Sequence, residues 1–215
     1  MAKPEQLGAY LLHQPDGVFP LGSDTLALGS FATLRPNWRV CDLGTGSGAL
    51  LLLLADREHS LALTGVELHP LAARAAQENL EQNGLDGQVL CCDLRRVSLP
   101  AGQFDLVISN PPYFPVGSGT SGGSARAEET CTLDEVCAAA ARLVKNGGRF
   151  ALCHRPERLT DVLCALREQG LEPKRLQFVA HSPAHSPSIL LVEAVRQGRP
   201  GLDVLPTRFI QRKTK

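Results

Sequence analysis

Residues 40–50 read VCDLGTGSGAL. An apolar run that ends in Asp42 and then meets Gly44, Gly46 and Gly48 predicts a buried strand, a tight turn and an immediate helix. Glycine tolerates the positive φ such a turn demands, and its bare backbone lets a ligand lie close. The spacing is G-x-G-x-G, tighter than the G-x-G-x-x-G that seats a pyrophosphate on a helix N-terminus. With an acid just before it, the tighter turn suits a cationic ligand; an ordinary glycine-rich turn is the plain alternative.

Working outward, the pattern alternates. WRVCDLG (38–44), LALTGVEL (61–68), QVLCCD (88–93) and FDLVISN (104–110) read as strands. Between and around them, helices are expected over 23–34, entered through Ser23 or Asp24, over 48–57, and over 69–85, where Pro70 opens the first turn and Asn83-Gly84 closes it. A further helix over 131–148 should stop at Gly147-Gly148, followed by the strand RFALCH (149–154), a helix over 156–170, and two last strands near 174–181 and 188–196. Strands alternating with helices predict an α/β sandwich around a mostly parallel seven-stranded sheet, with helices on both faces and an antiparallel last strand. At 215 residues, one domain is expected over 1–215, with an N-terminal extension to about residue 36.

Hydrophobic residues at 43% and charged residues at 20% exclude a wholly disordered chain. Net charge is zero, so any nucleic acid must meet a local basic patch. The seven cysteines form no C-x-x-C pair and read as small hydrophobes of a reducing compartment. The histidines show no ligand spacing, so no metal is expected. MAKPEQLGAY carries no apolar leader and no stretch is long enough to span a bilayer, which predicts a soluble cytoplasmic protein. Residues 114–129 are Gly/Ser-rich and unsuited to a core, and are expected to order on substrate binding; the tail from about 208, TRFIQRKTK, carries four basic residues and reads as a frayed end.

The glycine turn does not stand alone. Glu67 ends the second strand, where an acid can grip both hydroxyls of a ribose. Asp93 ends the third, and the fourth runs into SNPPYF (109–114). Prolines there fix φ and carry no N–H, so Asn110 and the carbonyl of Pro111 become rigidly held acceptors for an amino group, while Tyr113 offers a face for a planar ring. Drawing the N–H bonds of a conjugated amine to two such acceptors turns its lone pair toward an electrophile.

These motifs resemble those of S-adenosylmethionine-dependent methyltransferases, whose class I fold is Rossmann-like. The resemblance implies S-adenosyl-L-methionine as cofactor, held by Asp24, Asp42, Gly44, Thr45, Gly46, Gly48, Glu67, Leu68, Cys92, Asp93, Leu94 and Asn110. Asp93 would accept from the adenine amino group, with Cys92 and Leu94 flanking the ring. Catalysis would rest on Asn110, Pro111, Pro112 and Tyr113. N-P-P-Y fixes an amino-nitrogen acceptor but is shared by adenine-N6, cytosine-N4 and glutamine-N5 methyltransferases. With FPLGSDTLALGSF (19–31), GVELHP, ARAEET and GGRFALCHRPERL, the chain is similar to the bacterial tRNA adenine-N6 methyltransferases acting beside the anticodon of tRNA1(Val). That resemblance implies a tRNA partner; Tyr113 and Phe114 are expected to meet its base, and local charge makes Arg126, Arg155 and Arg158 the candidates to line the open side of the crevice against its backbone. Glutamine methylation of release factors is the alternative; about 40 residues precede the glycine turn, too few for the helical domain those enzymes carry. An rRNA or DNA amino-methyltransferase stands behind it.

Overall fold

The computed structural model describes residues 4–111 and 131–210. A short hairpin comes first, β1 (Glu5–Leu7) with β2 (Tyr10–Leu12), then α1 (Ser23–Phe31), β3 (Arg39–Leu43), α2 (Ala49–Arg57), β4 (Ala62–Glu67), α3 (Pro70–Gln82), β5 (Gly87–Cys91) and β6 (Phe104–Ser109). Past residue 130 follow α4 (Leu133–Leu143), β7 (Val144–His154), α5 (Leu159–Glu168), β8 (Leu171–Ala180), β9 (Ile189–Arg196) and β10 (Asp203–Phe209).

The large sheet has the order β10-β8-β9-β7-β6-β3-β4-β5. Only β9 runs against its neighbours, antiparallel to both β7 and β8; the other pairings are parallel. The antiparallel strand near 188–196 is therefore as expected. Successive side chains of a strand face opposite ways, and here both ways are covered. Val40, Leu106 and Ile108 pack with α1 and α2 on one face, while Cys41, Leu43, Phe104 and Val107 pack with α4 and α5 on the other. Two buried faces explain why these strands read as continuous apolar runs.

Several boundaries differ from the sequence reading, each for a local reason. Helix α1 stops at Phe31, and its N-cap is Gly22 rather than Ser23 or Asp24; the Asp24 carboxylate instead accepts from the Thr25 amide at 2.8 Å. Helix α4 ends at Leu143, because Val144 is fully buried and pairs with Phe104; the stretch at Gly147-Gly148 falls in a register shift of β7 and does not stop a helix. An eighth strand, β10, lies beyond the seven expected. It includes Arg208 and Phe209, so the expected frayed tail is part of the sheet at its start, and Arg208 donates to the Ser30 hydroxyl. Its side chains are mostly exposed, so it carries little of the apolar signal that marks a strand. The hairpin strands β1 and β2 are three residues each, too short to show an alternating pattern. Among the described residues no helix is long and apolar enough to cross a membrane.

Candidate functional site

Strand β3 lies between β4 and β6, and the chain winds outward from it in both directions: through β4 to β5 on one side, through β6 to β7 on the other. Its carboxyl end is thus a topological switch point, where helices diverge and leave a crevice. The glycine turn sits there. Gly44, Gly46 and Gly48 all have positive φ, of 76°, 57° and 84°. A Cβ on Gly44 or Gly46 would meet nothing within 4 Å, so these two leave an open cradle over bare backbone. Gly48 is closed in instead: a Cβ there would stand 3.3 Å from Cβ of Ala76 in α3.

The acids around the turn are held differently. Glu67 at the end of β4 is buried, and its two oxygens each accept one backbone N–H, from Gly46 at 2.8 Å and from His69 at 2.9 Å. Each oxygen keeps a lone pair for a further donor. Asp42 is fully buried; Oδ2 accepts from the Thr45 hydroxyl at 2.7 Å, and Oδ1 has no partner among the described residues. Burial pushes its carboxyl up to about 7, with Glu67 adding repulsion against the Thr45 hydrogen bond. An unpaired buried acceptor is costly, and it invites a cationic or hydrogen-bearing ligand.

The Asp42 carboxyl titrates near 4 in an unfolded chain and near 7 when folded, so between those values the native protein holds a proton that the unfolded chain has lost. Stability of the ligand-free protein is expected to fall as pH rises through that window, by on the order of 4 kcal/mol from this group, and to level off above it. Denaturant unfolding at pH 5 and pH 8 measures the slope, which should shrink in Asp42→Asn.

Asp93 lies two residues beyond the end of β5, where it caps the short 3-10 turn Leu94–Arg96. Its carboxylate accepts from the Arg95 amide and guanidinium at 2.5–2.9 Å, and these bonds hold it below the usual carboxylate range. Arg95 also reaches Glu135 of α4 at 3.2 Å. Cys92 and Leu94 are half-buried beside it, and Leu68 is exposed. Asp24 sits in the first turn of α1.

On the other side of the turn, β6 delivers Asn110. Ser109 is anchored by its hydroxyl to the Leu43 carbonyl at 2.7 Å, which ties the end of β6 to the end of β3. The Asn110 side chain bridges two elements: Nδ2 donates to the Thr25 hydroxyl of α1 at 2.9 Å, and Oδ1 accepts from the Cys153 thiol of β7 at 2.7 Å. Pro111 is buried. Pro112, Tyr113, Phe114 and Arg126, together with the 114–129 segment and the tail beyond Ile210, lie outside the described residues.

Register places Ser109 opposite Leu152, so the residues following β7 share an edge with Asn110. Arg155 is there, its amide donating to Nδ1 of His154, and Arg158 pairs with Asp161 on the first turn of α5. Burial, with the Arg158 cation, pushes His154 down to about 4, so its ring is neutral at physiological pH.

Several supports of the site carried little or no signal. Asn79 of α3 is buried and bridges the backbone of His13 to the Ser47 carbonyl, bracing the glycine turn at 2.9 Å on each side. Gln14 donates to the Ser47 hydroxyl and accepts from the Leu21 amide. Gly65 faces Thr45, whose Cγ2 would lie 2.8 Å from any Cβ; a glycine inside a strand is a legible sign of such an approach.

Against known proteins, the chain matches the family model described as methyltransferase small domain over residues 16–164. The chain belongs to that family. It is 31% identical over 186 residues to a tRNA1(Val) (adenine(37)-N6)-methyltransferase of Porphyromonas gingivalis, covering 80% of this chain and 73% of that one. It is 28% identical to one of that name from a Flavobacteriaceae bacterium, covering 70% of this chain and 65%, just under two thirds, of that relative's length. The crystal structure of a predicted O-methyltransferase from Agrobacterium tumefaciens superposes with a TM-score of 0.72 at 22% identity over 89% of both chains. That likeness bears on the fold, which is the Rossmann-like fold of methyltransferases. The matched stretch of the family model takes in both the glycine turn and Asn110.

Proposed function

We propose that this methyltransferase transfers the methyl group of S-adenosylmethionine to the N6 amino group of an adenine in cytoplasmic tRNA, at position 37 of a tRNA1(Val)-type substrate. The observation that carries the reading is the seating of Asn110 and the glycine turn on the ends of adjacent strands, β6 and β3. Relatives that match 70% and 80% of this chain and bear that enzyme name support it.

The residues present fit the cofactor. The unpaired Oδ1 of Asp42 wants a donor, and the methionine ammonium is one. The open cradle over Gly44 and Gly46 receives a ligand pressed against backbone, and the free lone pairs of Glu67 suit ribose hydroxyls. Thr45 holds Asp42, and Gly48 lets α3 close behind the turn. Asp24 and Leu68 line the approach, while Cys92, Asp93 and Leu94 take the adenine end. For its amino group, Asp93 must share acceptor capacity now directed at Arg95. When bound, S-adenosylmethionine supplies an activated methyl on a sulfonium.

The chain's own part is positioning. Asn110 Oδ1 and the Pro111 carbonyl accept the two N–H bonds of the target amine, which aims its lone pair and draws it out of conjugation. Pro111 and Pro112 keep the backbone rigid, and Tyr113 with Phe114 stacks the extruded base. The amine grows acidic as it is methylated, so water or Asn110 relays the proton without a dedicated base. Arg155 and Arg158, just past the end of β7, meet the phosphates of the tRNA, and Arg126 is assigned the same role from its charge.

Incubation with labelled cofactor and three acceptors in parallel tests the substrate class. The expected result is label in unmodified tRNA and background in release factor and duplex DNA. Label in release factor, with none in tRNA, would overturn the assignment and leave the amino-nitrogen chemistry standing.

A further inference from the structure

A side-chain amide is nearly symmetrical in outline and opposite in chemistry at its two ends, since Oδ1 accepts and Nδ2 donates. The function proposed above needs the Asn110 oxygen facing the target amine. Turned by 180°, the side chain would set its own N–H against those of the substrate, and the site would repel what it must hold. Something has to fix which end is which.

Among the described residues, two neighbours hydrogen-bond to the amide. Thr25 Oγ1 lies 2.9 Å from Nδ2, and Cys153 Sγ lies 2.7 Å from Oδ1. They are not equivalent. A hydroxyl both donates and accepts, so Thr25 can serve either orientation. A thiol donates through S–H but is a poor acceptor, so it favours the oxygen alone. Cys153 is the penultimate residue of β7 and is fully buried. Burial, and after it the charge of Asp24, pushes its thiol well above the ordinary range, which keeps the hydrogen in place. Oδ1 has two lone pairs; among the described residues the thiol alone takes one, and the other faces the substrate in this reading.

We infer that Cys153 is a positioning residue that locks the Asn110 amide with its oxygen presented to the acceptor amine, Thr25 completing the lock from α1. The inference rests on the reading of Asn110 as the amine's acceptor, and it gives a purpose to a cysteine that sequence alone marks as core filler.

The experiment compares Cys153→Ala, Cys153→Ser and Asn110→Ala in steady-state methylation of tRNA, with cofactor affinity measured by calorimetry. Removing the S–H donor should lower kcat about tenfold, as loss of one orienting hydrogen bond implies, while cofactor Kd and the KM for tRNA stay within about twofold. Cys153→Ser, which restores a donor, should recover kcat to within about threefold. Should the alanine variant fail to fold, Cys153→Val fills the thiol's space with no donor and replaces it. Wild-type kcat in the alanine or valine variant, or a serine variant as slow as alanine, would overturn the lock. If Asn110→Ala keeps wild-type kcat, the reading of Asn110 falls and the lock with it. If Asn110→Ala is inactive and Cys153→Ala is normal, the lock alone is refuted.

Discussion

Replacing Asn110 by alanine is expected to lower kcat for methyl transfer by about 10²–10⁴-fold and to change cofactor affinity little. The side chain sits between the thiol of β7 and the hydroxyl of α1, at the end of a strand tied by Ser109 to the strand that carries the glycine turn. Its role in the account is to hold the acceptor nitrogen in line with the methyl donor, and interactions of that kind act mainly in the transition state. A loss in kcat with constant Kd for the cofactor is therefore the signature. Asn110→Asp keeps an acceptor oxygen but gives up the donor to Thr25, so an intermediate rate is expected. Single-turnover kinetics with prebound cofactor measure the chemical step directly. An alanine variant within tenfold of wild type would remove Asn110 from the mechanism.

The second large effect is on stability. Glu193 of β9 is fully buried yet charged, and it accepts from Arg149 at 2.8 Å, from Arg175 at 3.1 Å, and from both the amide and hydroxyl of Thr33 at 2.8 Å. Arg175 continues to the Phe31 carbonyl and lies over the Phe31 ring, while Arg57 donates to the Gly29 carbonyl. These cations meet the carbonyl end of α1, where a positive charge is favoured. Glu193 is the anion that offsets part of this positive charge, and through Thr33 it ties the end of α1 to the sheet. Removing one partner of a buried pair costs about 3–5 kcal/mol. The two arginine side chains are 25% and 30% exposed and can turn partly to water, which places Glu193→Ala at the lower end, about 3 kcal/mol. For a domain of this size that is a drop in Tm of about 6–12 °C. A thermal melt in the absence of ligand checks it; a change of under about 2 °C would mean the cluster holds nothing in place.

The fold was legible because its signals were redundant. VCDLG, TGVE and FDLVIS are apolar on both faces and sit between periodic helices, and a parallel α/β sheet is the arrangement that buries them all. Glu67 and the glycine turn were legible for a related reason: acids and glycines placed at strand ends have few structural excuses. The failures share a cause too. Strand β10 has mostly exposed side chains and pairs through backbone, which no side-chain pattern records. Val144 ended α4 by a tertiary contact, against the apparent stop at Gly147-Gly148. Cys153 and Thr25 look like a core hydrophobe and a helix residue until the sheet brings Asn110 between them. Glu193 is the exception, since an acid inside ILLVEAV (189–195) announces a buried ion pair to a reader who asks for its partner.

The central claim is best tested by digesting tRNA to nucleosides after methylation with labelled cofactor. The account predicts label that co-migrates with N6-methyladenosine for the wild-type protein and is absent for Asn110→Ala. Label in any other nucleoside, or N6-methyladenosine formed at the same rate by the variant, would contradict it.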